Sequence, residues 1–314
     1  MRFADFVLRK TLSTNGIRQL LWTYIRRMLV RSFNDPPCTF PVHGRILHLP
    51  LSHELPTYLW RLPQYDRLPA RLGAFLHTRY GPLRCLDIGS NIGDSIASFY
   101  RDERDQFLAI EPDPKFNHYL HQNWSVSNVT ILNLACSDRS GSEHYEIDEK
   151  FGTASLRKHP DGIEIRTETV DDLLLNYPHF SGLQLIKIDT DGDDFAVLSG
   201  ARHTLTSQPA VLFECDVFGN QRYMQHCLET LAIFSQAGYS SMLVYEKFGY
   251  PMGRFELNDL RYFRDLLFYQ LTKKFIYFDI LIMKEQDLRE FNALESTFFI
   301  GDLPVEAYSI GSSL

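Results

Sequence analysis

From Leu83 onward the chain alternates short apolar runs with amphipathic stretches. The runs at 84–88, 106–110, 129–134, 183–189 ("LQLIKID") and 210–216 ("AVLFECD") have the length and near-continuous apolar character of strands covered on both faces. Between them, 93–101, 114–124, "VDDLLLNY" and "DDFAVLSGARHTL" place apolar residues at helical spacing. Such alternation predicts βαβ units and a parallel sheet. A helix over 221–237, a strand over 240–246, an insertion and a strand over 275–284 complete the series. The polar segment Ser137–Pro160 interrupts it and reads as turn-rich.

Upstream, residues 1–31 predict two helical pieces parted near Ser13–Gly16, and Phe33–Gly44 a Pro-rich linker. "RILHLPLSHELP" is extended and "YLWRLPQYDRLPARLGAFLHTRYG" helical. The expected organisation is a basic helical extension over 1–32, a linker and helical preamble over 33–82 that suits a substrate-recognition cap, an α/β domain over 83–290 and a tail over 291–314.

Composition adds limits. With 314 residues, 44% hydrophobic and 23% charged, the chain has ample material for a core. A net charge of −7 argues against a nucleic-acid binder. The charge is uneven: residues 1–31 hold seven basic side chains against Asp5 alone, +6, which leaves −13 for the rest. Five scattered cysteines without a CxxC pair suit a reducing compartment. There is no apolar run of transmembrane length and no secretory leader pattern, so a cytoplasmic location is expected.

"CLDIGSNIGDSIASFY" (Cys85–Tyr100) passes from strand to helix through Gly89, Ser90, Asn91 and Gly93, a turn nearly devoid of side chains. It does not meet the GxGxxG dinucleotide pattern. The spacing D-x-G-x-x-x-G, with Asp87 at the strand end, suits a cofactor with an amino-acid portion: main chain takes its carboxylate and Asp87 offsets its ammonium. A simple tight turn is the other reading. Glu111, about 20 residues on, stands where an acid accepts from both ribose hydroxyls. Asp138 is placed either for an adenine amino group or for the turn before Gly141.

"LDIGSNIGD", "AIEPDP", "VTILNLACSDRSG" and "LIKIDTDGDDFAVLSGA" resemble, in order and spacing, the FkbM family of S-adenosylmethionine-dependent methyltransferases. The resemblance covers about 83–216. It implies a Rossmann-like class I methyltransferase: a seven-stranded, mostly parallel sheet with helices on both faces, ending in an antiparallel hairpin-like edge. It also implies that Asp87, Gly89, Asn91, Gly93 and Glu111 hold the cofactor. A valine at Gly89 would occupy the volume of the cofactor's carboxylate and sugar, and is expected to abolish cofactor binding in a folded protein.

"KIDTDGDDF" gathers Asp189, Asp191, Asp193 and Asp194 at a strand end and helix start. N-capping and solvation explain part of such a cluster. As site residues, Asp189, Asp191 and Asp194 are candidates for the general base of methyl transfer to a hydroxyl, or for holding a divalent cation such as Mg2+. The family usually has glutamates at the positions of Asp191 and Asp194. Glu214 matches a further acidic position. His118, His121, His144 and His159 are alternative bases, and Arg157 and Lys158 lie in a segment suited to close over an anionic substrate.

The family acts largely on hydroxyls of sugars, glycans and macrolide-like natural products, and the preamble resembles that of members associated with surface polysaccharide. The expected acceptor is therefore a glycan hydroxyl. The alternatives are a natural-product or other small-molecule hydroxyl, or a non-catalytic cofactor-binding homologue. Trp60, Tyr65, Tyr245, Tyr250 and Tyr262 suit stacking on sugars or plain core packing. Two readings stay open for the basic helix Gly16–Arg31: packing on protein through ion pairs, or peripheral contact with an anionic membrane at its inner face.

Overall fold

The computed structural model describes residues 3–150, 152–216, 222–273 and 276–301. Two helices open the chain, α1 (Phe3–Ser13) and α2 (Gly16–Ser32), divided at Thr14–Asn15. The expected linker is instead a strand. β1 (Pro37–Val42) turns through His43 and Gly44, both at positive φ, into antiparallel β2 (Arg45–Pro50). The prolines that suggested a linker are tolerated because this two-stranded sheet consists of edges, where a missing N–H breaks no ladder. Then come α3 (Leu55–Arg61) and α4 (Leu68–Tyr80), each with a proline in its first turn, where no intrahelical bond is lost.

The α/β series begins with β3 (Arg84–Ile88), α5 (Asp94–Phe99), β4 (Gln106–Ile110), α6 (Pro114–Asn123) and β5 (Val129–Leu132). α6 starts where it does because the Asp113 carboxylate accepts the N–H groups of Lys115 and Phe116 at 2.7 and 2.9 Å, ahead of Pro114. The segment expected to be turns is built of strands. β6 (Ala135–Cys136), β7 (Gly141–Lys150), β8 (Thr153–Lys158) and β9 (Ile163–Glu168) form a second sheet ordered β6-β9-β7-β8. Among the described residues Ala135, Tyr145 and Ile165 form its buried core, so its apolar alternation is too thin to stand out in the sequence.

The main series resumes with α7 (Val170–Asn176), β10 (Leu185–Ile188), α8 (Asp194–Ser199), α9 (Arg202–Leu205) and β11 (Ala210–Cys215). It ends with α10 (Tyr223–Gln236), β12 (Ser241–Glu246), β13 (Pro251–Glu256), α11 (Arg261–Lys273), β14 (Phe278–Ile282) and α12 (Glu285–Ile300). The main sheet has eight strands rather than the expected seven, ordered β13-β12-β14-β11-β10-β3-β4-β5. β11, β10, β3, β4 and β5 run parallel, and β14 enters antiparallel between β11 and β12. The eighth strand, β13, comes from the insertion and covers β12, so the β12–β14 pair is not the edge.

Alternate side chains of each strand feed two cores. Leu86, Ile88, Leu108, Ile110, Ile186 and Phe213 pack beneath the later helices. Cys85, Phe107, Leu185 and Leu281 pack with α4 and the N-terminal elements. α12 belongs to this second layer: Phe291 packs on Phe75 at 5.3 Å, and Glu295 takes Arg71 at 2.6 and 2.9 Å. The boundary expected at 290 thus falls inside a packed helix, while the tail from 302 onward lies outside the described residues.

Candidate active site

The site lies at the carboxyl ends of β3 and β10, which pair in register Asp87 with Lys187 and Ile88 with Ile188. The chain leaves β3 through Gly89 at φ 76°. A Cβ on Gly89 would stand 1.7 Å from the carbonyl oxygen of Asp189, in the neighbouring turn. Gly93, at φ 85°, is a glycine for a similar reason: a Cβ there would meet Trp124 Nε1 at 2.1 Å, and that N–H donates to the Gly93 carbonyl at 2.9 Å. Ser90 is buried and donates its hydroxyl to the Asp87 carbonyl at 2.8 Å. Ser90 and Gly93 thus hold the turn together, and neither lines the cavity beside it.

That cavity is walled by Gly89, Asn91, Glu111 and Pro112 on one side and by Ala135 and Cys136 below. Glu111 is buried. Its carboxylate accepts the N–H of Asn91 at 2.7 Å and that of Asp113 at 2.8 Å. Burial pushes this carboxyl up to about 8 against the pull of those two donors. Each oxygen keeps a second lone pair, so two further donors, such as a ribose diol, would relieve the burial cost.

The second sheet and the preamble close the other side. Tyr145, Gly152, Ala154 and Leu156 line the cavity from the β7–β8 hairpin, and His53 lines it from the loop after β2. Asn91 ties them together: its amide nitrogen donates to the Gly152 carbonyl at 2.9 Å, and its oxygen faces His53 Nε2 at 3.2 Å. His53 Nδ1 accepts the Leu55 N–H at 3.2 Å, so Nε2 carries the proton. Burial lowers His53 to about 4, which keeps it neutral.

Asp87 does not reach this cavity. It is fully buried, neither carboxylate oxygen has a hydrogen-bond partner among the described residues, and Lys187 Nζ lies 3.8 Å away. Burial raises its carboxyl. The nearest cation to Asp87 is this lysine from the next strand. Lys187 Nζ also donates to Asp189 at 3.0 Å and to the Gly89 carbonyl at 3.3 Å. Burial alone would lower Lys187, but Asp189, Asp87 and Asp94 outweigh it and push the lysine up. Lys187 was missed although "LQLIKID" signals it: a single cation inside an otherwise apolar strand needs a buried partner.

The acidic turn divides. Asp189 lines this cavity and also a second one beside it. Asp194, the other candidate base, lines neither. It is buried; one oxygen accepts the N–H and hydroxyl of Thr190 at 3.1 and 2.6 Å, the other the N–H of Glu214 at 3.1 Å. Burial raises it to about 6. Asp191 is exposed at the rim, at φ 53°. Dense surroundings and then the charges of Asp189, Asp194 and Asp216 push its carboxyl up, while its contact with solvent screens that push. Asp193 lines the first cavity.

Five residues, Leu55, Tyr65, Asp94, Lys187 and Asp189, line both cavities. The second adds Asp66, Glu214, Asp279, Lys247 and Tyr277. Glu214 and Asp279 stand directly opposite across β11 and β14. Burial, then Asp189, raises both, Asp279 to about 8, and burial with Asp66 brings Asp94 to about 7. Among the described residues no group of three or more His, Cys, Asp or Glu is arranged to hold a metal ion.

Other expected residues lie elsewhere. Asp138 is exposed and off both cavities, with Arg139 at 3.9 Å. His118, His121, His144 and His159 are exposed. Arg157 is exposed, and Lys158 pairs with Glu143. Of the five aromatics only Tyr65 reaches the cavities; Tyr245 is core, and Trp60, Tyr250 and Tyr262 face solvent.

Residues 87–241 match the Methyltransferase FkbM domain. Among solved structures the chain is similar to the methyltransferase FkbM from Methylobacillus flagellatus KT, at 15% identity and TM-score 0.37, over 76% of this chain and 54% of that one. It is also similar to an O-methyltransferase from Bacillus cereus in complex with SAH, at 11% identity and TM-score 0.42, over 89% and 96%. The chain thus spans about half the length of the Methylobacillus protein. The curated proteins include no match.

Proposed function

The chain belongs to the FkbM methyltransferases, and from that premise we propose that it methylates a hydroxyl of a sugar or glycan, as in surface-polysaccharide synthesis, with S-adenosylmethionine as donor. When bound, S-adenosylmethionine supplies an electrophilic methyl on a sulfonium. Glu111, with Asn91 and Pro112 beside it, would hold the ribose, and Ala135 and Cys136 would floor the base. Asn91 and the β7–β8 hairpin would exclude water from that chamber.

The observation that carries the reading is the shared wall. Asp189 and Lys187 border both the cofactor-side cavity and the acid-lined one, so a donor in the first and an acceptor in the second meet at Asp189. Held by Glu111 and Asn91, the donor would supply its methyl to the acceptor oxygen, with the C–S electron pair left on sulfur. Asp189 takes the hydroxyl proton, and Lys187, 3.0 Å away, fixes the orientation of that carboxylate. Tyr65 and Tyr277 with the surrounding carboxylates suit a polyhydroxylated acceptor, which needs an apolar face and many hydrogen-bond acceptors.

Incubation with methyl-labelled S-adenosylmethionine and a panel of glycan extracts and small alcohols tests this. Label in a glycan ether supports it. Label only in small alcohols moves the acceptor to natural-product chemistry. Tight S-adenosylhomocysteine binding with no transfer to any acceptor overturns the catalytic reading.

A further inference from the structure

Of the 17 residues of α2 only Arg26 is buried. Its guanidinium points into the protein, where Nε donates to the Leu51 carbonyl at 2.7 Å, Nη2 to the His53 carbonyl at 2.8 Å, and Nη1 lies 3.1 Å from Glu54. On a helical projection Arg26 lies apart from Arg27 and Arg31, so with all four arginines counted the charges form no single face. In the fold Arg26 leaves the surface altogether, and the remaining residues sort themselves.

At about 100° per residue, Ile17, Tyr24, Met28 and Leu21 fall within an arc of roughly 60° on the side facing away from Arg26. They are 85%, 62%, 44% and 55% exposed, and Leu20 beside them 70%. Arg27 and Arg31 border this arc on one side and Arg18 on the other, all exposed. The helix contains no acid. Phe33, just past its C-terminal end, and Phe3, at the start of α1, are exposed as well. No helix among the described residues is long and apolar enough to cross a membrane.

We propose that α2 seats the protein on an anionic bilayer, with Ile17, Tyr24, Met28 and Leu21 at the acyl boundary and Arg18, Arg27 and Arg31 among the headgroups. Charge selects this occupant. An apolar arc bordered only by cations complements a negatively charged interface, whereas a second copy on the same face would bring arginines against arginines. Because Arg26 grips the loop that carries His53, the lipid-facing helix and the cofactor-side cavity share one loop. The inference stands independently of which acceptor is methylated.

The test is co-sedimentation of the full chain with phosphatidylglycerol vesicles and with phosphatidylcholine vesicles at low and high salt. Binding to the anionic vesicles, weakened by salt and at least tenfold stronger than to the neutral ones, is expected. Arg18→Glu/Arg27→Glu/Arg31→Glu should lower it by on the order of a hundredfold, about fivefold for each arginine lost near the surface. Ile17→Ser/Met28→Ser should also weaken it while leaving the urea midpoint unchanged. Full chain remaining in the supernatant at low salt overturns the proposal. So does a dimer in analytical ultracentrifugation that Ile17→Ser/Met28→Ser converts to monomer without any change in vesicle binding.

Discussion

After β3 the chain turns through Gly89–Gly93; one strand over, after β10, it turns through Thr190–Asp193. The first turn looked emptied of side chains for a ligand and the second crowded with carboxylates for chemistry. In the fold, the space cleared at Gly89 is filled by the backbone of the second turn, and that at Gly93 by Trp124. The carboxylates separate according to depth: Asp194 turns inward to hold Thr190 and the start of the Glu214 peptide, and Asp189 remains at the junction of the cavities. Glycine therefore reports that something comes close, without reporting what. An acidic cluster likewise divides into groups that build the turn and groups that face the cavity, and only three-dimensional partners tell them apart.

The largest effect is expected at Gly89. Valine there puts a Cβ 1.7 Å from a backbone oxygen at a φ of 76°, so the two strand ends must separate. Overpacking and left-handed strain together should cost at least ~3 kcal/mol in the ligand-free protein. The sequence had suggested a folded protein that merely fails to bind. A wild-type urea midpoint with lost S-adenosylhomocysteine affinity would restore that view and return the glycine to the ligand.

Asp189→Asn and Asp194→Asn sharpen the contrast within the acidic turn. At Asp189, turnover should fall by about 10²–10⁴-fold, and stability by about 1 kcal/mol or less because the carboxylate is partly solvated. At Asp194 an amide sets a donor against donors, so stability should fall by about 1–3 kcal/mol and turnover by less than tenfold. Stopped-time methyl transfer and urea unfolding on the same preparations separate the two. A stable, inactive Asp194→Asn would refute the division. Glu111→Ala should weaken S-adenosylhomocysteine binding by about 1.5–3 kcal/mol in calorimetry; a loss of a few tenths would place the ribose elsewhere.

The parallel strands were readable because burial on both faces writes nearly unbroken apolar runs, and α6 because "EPDP" supplies both cap and first-turn proline. Glu111 was readable because its distance from the glycine turn is set by one βαβ unit. The β1–β2 hairpin and the second sheet were not, since prolines and a sparse apolar alternation look like loops until the strands find partners. With them went His53 and the hairpin that close the cavity. Lys187 and Asp87 acquire meaning only through their register across two strands 100 residues apart.

The smallest effect concerns pH and treats both turns as one electrostatic unit. Burial raises Glu111 to about 8, Asp279 to about 8, Asp94 to about 7 and Asp194 to about 6. Unfolded, such groups titrate near 4. Between about pH 4 and 8 these four carboxyls keep protons in the ligand-free fold that the unfolded chain releases; His53, lowered to about 4, acts in the opposite sense up to its unfolded value near 6.5, but it is one group against four, so stability should fall as pH rises. Lys187, pushed up, contributes throughout this window and does not reverse the sign. The groups are coupled, so the net loss between pH 5 and 8 should be at least about 1 kcal/mol, well short of the sum of separate shifts. S-adenosylhomocysteine should act in the opposite sense. Ribose hydroxyls donating to Glu111 favour its ionised form, so the stabilisation the ligand confers should grow with pH up to about 8 and flatten in Glu111→Ala. Urea unfolding at pH 5, 6.5 and 8, with and without ligand, checks both halves. Ligand-free stability that is flat or rises with pH would mean that the carboxylates around Lys187 are ionised in the fold, their charge offset by the lysine and by water reaching both turns.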